Sequence, residues 1–281
     1  MRYTVRWSAL LVVAVLWAAT ANAQTQAQAQ ARPQTQAQVP AKTEAQAQTL
    51  TPTADDLVEK HLAAMGGRAA LTKLESRTAT GSIVVSAQGM ELAGAVEVFA
   101  KAPNKARSLI RLDLSQVGGT EMVIDQRCDG KTAFAGNSIQ GDREITGNRL
   151  QNMLNASFPT PLLKYKEAGT KVELVGKDKV GMRDVFVIQY TPKAGSSSRQ
   201  SFDADTYMLL RVVTKVDAPE LGGEIEQTTD LSDYREIDGV KIPFTVQTIN
   251  SAQTVTIRLD KVEHNKPIDE SMFAKPVAKQ D

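Results

Sequence analysis

The chain has 281 residues, with 33 Lys and Arg against 32 Asp and Glu, so at a net charge of +1 no strong field selects for nucleic acid or an anionic membrane surface. Apolar residues make up 42%, enough for a core but not for a membrane bundle, and an aromatic content of 5% argues against a stacking surface for single-stranded nucleic acid. Two histidines, His61 and His264, and one cysteine, Cys128, exclude an internal disulfide and leave a His/Cys zinc site short of ligands.

Residues 1–23 read as a secretory signal peptide. Arg2 and Arg6 form the positive start, Trp7 to Ala19 is an uncharged apolar run, and Ala21 and Ala23 are the small residues a signal peptidase reads. The run is shorter than the ~20 residues of a membrane span, so cleavage after Ala23 and an extracytoplasmic destination are expected. Residues 24–53 are low complexity, with nine Gln and seven Ala between 24 and 48, and their composition predicts a disordered linker.

The folded part starts at a helix. Thr53 is a suitable N-cap, Asp55 and Asp56 suit the first turn, Leu57, Val58, His61, Leu62 and Met65 recur at helical spacing, and Gly66-Gly67 stops the run. His61 lies at the edge of this stripe and reads as a packed or half-exposed residue and not a ligand, because no second ligand shares its helical spacing. A short helical piece follows from Arg68 to Leu74. From Thr78 the apolar period becomes two. A hairpin turns at Gln88-Gly89, and Met90, Leu92, Val96 and Val98 share one face of its second strand. Ile110 and Leu112, then Met122 and Ile124, continue that face across turns at Pro103-Asn104 and Gly118-Gly119. Cys128 precedes the hairpin signal Asp129-Gly130 and reads as a small half-buried side chain.

Thr146 to Phe158 is helical, with Leu150, Met153, Leu154 and Phe158 on one side, and Pro159 and Pro161 end it. Strands resume at Lys171 and continue to Glu263, separated by turns such as Asp203-Ala204-Asp205, Gly222-Gly223 and Ile237-Asp238-Gly239. His264 follows the last strand and is expected at the surface. Strand–helix–strand alternation is missing, so a parallel nucleotide-binding sheet is not expected. The fold class is α+β, mainly antiparallel β. About 11–12 strands must curl, since a sheet of that width does not stay flat, and an incomplete, half-open curled barrel results, with helices covering its apolar concave face. The interior is either a packed core or a ligand cavity. In the second case Met90, Leu92, Val96, Val98, Ile110, Leu112, Met122 and Ile124 form its wall, and Leu150, Met153, Leu154 and Phe158 its lid. The sequence has no Gly-x-Ser-x-Gly elbow and no phosphate-binding glycine pattern.

Several segments carry a family resemblance: Leu57-Val58-Glu59-Lys60-His61-Leu62, Val98-Phe99-Ala100-Lys101-Ala102-Pro103-Asn104-Lys105, Cys128-Asp129-Gly130-Lys131-Thr132-Ala133, and Asp233-Tyr234-Arg235-Glu236-Ile237-Asp238-Gly239-Val240-Lys241-Ile242-Pro243-Phe244. With these the chain resembles the LolA/LolB-like superfamily of periplasmic lipoprotein carriers over residues 54–276, leaving 277–281 as a tail. The resemblance implies a non-catalytic periplasmic carrier or binder of lipid-modified proteins or other acyl-chain ligands, with no cofactor or metal. Its expected partners are a lipid, acyl chain or lipoprotein, and envelope proteins. Nucleic acid is not expected, nor is a stable membrane span after processing, and the protein is expected to be a monomer. The alternatives are an envelope interaction or regulatory module of the same fold with a filled core, and, last, a secreted hydrolase.

Overall fold

Thr53 opens helix α1 (Ala54–Ala64) through a reciprocal capping box: its hydroxyl accepts from the Asp56 backbone N–H, and the Asp56 carboxylate accepts from that of Thr53, each at 3.1 Å. This computed structural model describes residues 52–218 and 223–275. The signal peptide with Ala21 and Ala23, nearly all of the Gln/Ala segment, Gly222 and the tail from 276 lie outside the described residues. Among those described, no helix is long and apolar enough to cross a membrane.

Helix α1 ends at Gly66, where the next element comes very close. A Cβ there would lie 2.1 Å from the Gly239 carbonyl oxygen, so only glycine lets the helix end settle on that turn. Lys241 N–H then donates to the Met65 carbonyl at 2.9 Å. Helix α2 (Arg68–Thr72) follows directly.

The rest is one antiparallel sheet of thirteen strands among the described residues: β1 (Ser76–Ala87), β2 (Met90–Lys101), β3 (Lys105–Asp113), β4 (Glu121–Cys128), β5 (Ala133–Asn137), β6 (Arg143–Ile145), β7 (Lys171–Val180), β8 (Arg183–Thr191), β9 (Ser198–Asp203), β10 (Leu209–Ala218), β11 (Gly223–Ile237), β12 (Val240–Asn250) and β13 (Thr254–His264). The strand beyond the expected 11–12 is β6, three residues long and too short to show an alternation. The expected curled, unclosed sheet with helices on its apolar face is the fold observed.

The strand order is β6-β5-β4-β3-β2-β1-β13-β12-β11-β10-β9-β8-β7. The chain therefore meanders from the middle to one edge, crosses to the other edge, and meanders back until β13 pairs with β1. The crossing segment, residues 146–170, holds helix α3 (Gly147–Asn155) and a 3₁₀ turn (Pro161–Lys164). Its ends are tied to both sides. Phe158 N–H donates to the Pro103 carbonyl at 2.7 Å, and the Asn104 amide donates to the Leu154 carbonyl at 3.2 Å. Across the mouth, Asn152 exchanges two hydrogen bonds with Ser196, accepting from its N–H at 2.8 Å and donating to its hydroxyl at 3.0 Å. Arg68 donates to the Leu163 carbonyl at 2.9 Å, and the Tyr165 hydroxyl donates to Asp55, which fixes the 3₁₀ turn to the first two helices.

The main core gathers Leu57, Val58 and Leu62 of α1, Leu71 of α2 and the inward residues of most strands, all buried. Each such side chain contributes about 1.5–3 kcal/mol by leaving water. A second cluster joins Met153, Leu150 and Leu154 of α3 to Cys128, Ala133, Ala135 and Ile145. Cys128 is fully buried there rather than half-buried, and burial pushes its thiol pKa up. Asp203 caps the turn that the sequence places at Asp203-Ala204-Asp205: its carboxylate accepts from the Thr206 N–H at 2.8 Å.

Candidate functional site

The central feature of the concave face is a groove of about 250 Å³ beneath the crossing segment. Its floor is lined by residues of β2, β1, β12, β11, β10 and β9, with none from the intervening β13, its roof is residues 156–162, and the end of α1 closes it. Val98, Phe158, Leu162, Leu209, Leu231 and Ile242 give it an apolar wall. The volume exceeds the ~150 Å³ of an apolar cavity known to hold benzene and falls just short of the ~300–1,000 Å³ usual for drug-sized ligands. It holds on the order of eight water-sized groups, counted at ~30 Å³ each. That is one alkyl segment, not a bundle of chains.

Its roof is shallow for a physical reason. Pro159 and Pro161 prevent the crossing segment from continuing as a helix, and Ala156, Ser157 and Thr160 present short side chains there between the longer ones of Phe158 and Leu162.

Polar groups stand at both flanks. On the α1 side, His61 is 2% exposed, and its Nδ1–H donates to the Tyr207 carbonyl at 2.9 Å while its ring meets Phe202 edge-on at 4.9 Å. Burial drives its pKa down to about 4, so the ring is neutral at pH 7, as fits a packed histidine. Nearby on β9, Gln200 is 4% exposed, and its side-chain oxygen has no hydrogen-bond partner among the described residues. Tyr234 donates its hydroxyl to the Leu209 carbonyl at 2.7 Å, and burial raises its pKa.

At the other flank Arg77 on β1 faces the groove. Its Nε–H donates to His264 Nε2 at 3.1 Å, and its guanidinium carbon lies 5.2 Å from the centre of the Phe158 ring. His264 is not at the surface as expected from its place after the last strand. It is 7% exposed, because β13 runs on to it and pairs it with Arg77 in register. Burial, then the Arg77 charge, lowers its pKa, so the neutral ring accepts from Arg77 and donates through Nδ1 to Asp238 at 3.1 Å.

Of the residues expected to form a cavity, Val98 and Phe158 line this groove. Leu92, Val96, Ile110, Leu112, Met122 and Ile124 are buried in the main core. Leu150, Met153 and Leu154 hold α3 onto β4 and β5 in the second cluster. Met90 is 46% exposed at a hairpin tip, beside residues 250–254 of the β12–β13 turn. Sequence reasoning missed Arg77, Gln200 and Tyr234, which lie on three separate strands and carry no local motif.

No family model matches the sequence, and no curated protein matches it. Solved structures do. A LolA superfamily protein from Nitrosomonas europaea is 12% identical, with 80% of this chain and 99% of that one covered at a TM-score of 0.52. A DUF1329 family protein from Desulfovibrio piger is 15% identical, covering 79% and 95% at 0.51. A domain described as an outer membrane lipoprotein-sorting protein domain, from Vibrio parahaemolyticus, is 12% identical, covering 78% and 95% at 0.50. At these identities the likeness shows the fold: the chain has a LolA-like half-barrel.

Proposed function

We propose that this protein is a non-catalytic, exported binder of acyl-chain ligands, of the lipoprotein-sorting type, acting in the periplasm after cleavage behind Ala23. The observation that carries the reading is the apolar groove under the crossing segment, large enough for one alkyl segment. The LolA-like fold and the leader-like amino terminus support it. Among the described residues no group of three or more His, Cys, Asp or Glu is placed to hold a metal ion. The groove's size favours single-chain occupancy over enclosure of a multiply acylated anchor.

The full-length protein, purified from its native envelope without detergent, should release acyl species to organic extraction and mass spectrometry. The stripped protein should take up the neutral fluorescent probe N-phenyl-1-naphthylamine. Val98→Trp, which fills the groove, should weaken that uptake at least tenfold with the fold intact by circular dichroism. Probe uptake unchanged in Val98→Trp would move the binding elsewhere, and a wild-type protein that binds neither lipid nor probe would defeat the reading. The filled part of the concave face favours a second reading, an envelope protein-interaction module, which predicts that last outcome.

A further inference from the structure

Arg77 differs from the other half-buried strand arginines among the described residues. Arg107 and Arg127 both face Asp125, Arg111 faces Glu97 and Arg211 faces Asp230 through two hydrogen bonds, whereas Arg143, Arg199 and Arg258, which face no carboxylate among the described residues, are exposed. Arg77 has no carboxylate within salt-bridge distance among the described residues. Its one hydrogen bond there goes from Nε to the neutral ring of His264, so neither Nη group has a partner. Yet it is half-buried and lines the apolar groove. Burial lowers its pKa to about 10, which still leaves it cationic at physiological pH.

Its geometry is fixed from two sides. The Phe158 ring lies against the guanidinium, and His264 holds Nε in place with its own far nitrogen bonded to Asp238. A planar fork held in this way keeps little rotamer freedom to lose on binding. A desolvated cation without a counter-ion is costly, and an anion entering the groove removes that cost while gaining charge-assisted hydrogen bonds from both Nη groups.

We propose that Arg77 is the headgroup site of the groove, and that the ligand is a single-chain carboxylate whose carboxylate pairs with the guanidinium while its alkyl chain lies along the wall formed by Val98, Leu209 and Leu231. This assignment rests on the acyl-binding reading above and narrows it to an anionic single-chain amphiphile. It explains why a largely apolar groove carries at its flank a half-buried cation with no carboxylate among the described residues, in contrast to Lys241, the other cation of the lining, which is exposed. The space for on the order of eight water-sized groups leaves the distal part of a longer chain at the groove mouth.

The test compares two probes that differ only in the head: cis-parinaric acid and its methyl ester, titrated by fluorescence into the purified full-length protein at pH 8. Charge-assisted hydrogen bonds of this kind correspond to about ten- to a hundredfold in affinity. The wild type is expected to bind the acid at least tenfold more tightly than the ester. Arg77→Gln should abolish the preference by weakening the acid alone, and Arg77→Lys should retain part of it. Equal binding of acid and ester by the wild type overturns the headgroup assignment while leaving the apolar groove standing. Binding of neither probe overturns the acyl-binding reading itself. A preference that survives in Arg77→Gln also overturns the role of Arg77. Should Arg77→Gln fail to fold, the wild-type comparison and Arg77→Lys decide the matter.

Discussion

The concave face of this half-barrel is covered in two different ways. Over β2, β3 and β4 the inward side chains, among them Val96, Ile110 and Ile124 in cross-strand register, close into one cluster with Leu57, Val58 and Leu62 of α1. Further round, beneath residues 156–162, similar strand faces leave open space. Both strands and cover contribute. The groove floor carries Arg77, Gln200 and Tyr234 among its aliphatic residues, and above it residues 156–162 bring only Phe158 and Leu162 as long apolar side chains beside the short ones of Ala156, Ser157 and Thr160, whereas over β2, β3 and β4 long aliphatic side chains interdigitate.

The comparison can be broken most sharply by a substitution in the filled region. Ile110→Ala, at a side chain 1% exposed between Val96 and Ile124, should cost about 2–5 kcal/mol in chemical denaturation, as large-to-small changes in a tight core do. Uptake of the neutral probe by the groove should stay within a few-fold of wild type wherever the variant is folded. A cost under ~1 kcal/mol would mean that this side is as loosely filled as the other.

His61 sits on the seam, buried in the helix core yet lining the groove. Its folded pKa of about 4 lies below the ordinary 6.5, so the fold favours the neutral ring. The stability this reflects is fully present above pH 6.5 and is lost as the pH falls through about 4. The loss amounts to up to about 3 kcal/mol for a shift of this size. Denaturation curves at several pH values should show that decline in the wild type and a shallower one in His61→Asn, which can still donate to the Tyr207 carbonyl. His264, whose pKa is also lowered by burial, titrates in both proteins, so the difference isolates His61. Parallel declines would show that His61 is not the group being charged.

The sequence revealed the two covers unequally. Period-two alternation and turn pairs such as Gln88-Gly89 and Asp129-Gly130 located the strands because those signals are local. Thr53 as N-cap and Gly66-Gly67 as the stop located α1 for the same reason. The apolar stripe of α3 was equally visible, but a stripe says only that a face is buried. That it meets Cys128 and Ala133 rather than the groove depends on where the crossing segment lands. The partition between filled and open space was not legible, since Val96 and Val98 look alike in a strand and differ only in what lies above them. Least legible was the Arg77–His264 pair. Its members are 187 positions apart and meet because β13 returns to close the seam against β1.

The smallest expected effect concerns what holds the roof. Helix α3 is anchored on one side by its apolar face and on the other by polar contacts across the mouth, where Asn152 bonds to Ser196 and Asn155 donates to the Ala194 carbonyl at 2.7 Å. The approach is close enough that a Cβ on Gly195 would lie 2.7 Å from the Asn152 side-chain oxygen, at a φ of +87° that itself favours glycine. Asn152→Ala removes both bonds to Ser196 and leaves its buried N–H without this partner, so stability should fall by about 1–2 kcal/mol. Because the apolar anchor remains, the loss should be local: faster amide exchange at 147–155 and 194–196, little change in β2 to β4, and faster release of a groove-bound probe. Unchanged exchange at 147–155 would mean that the apolar face alone fixes α3. Faster exchange spread evenly over the sheet would mean that the roof and the filled half open together, and the distinction between the two covers would then be geometric without being energetic.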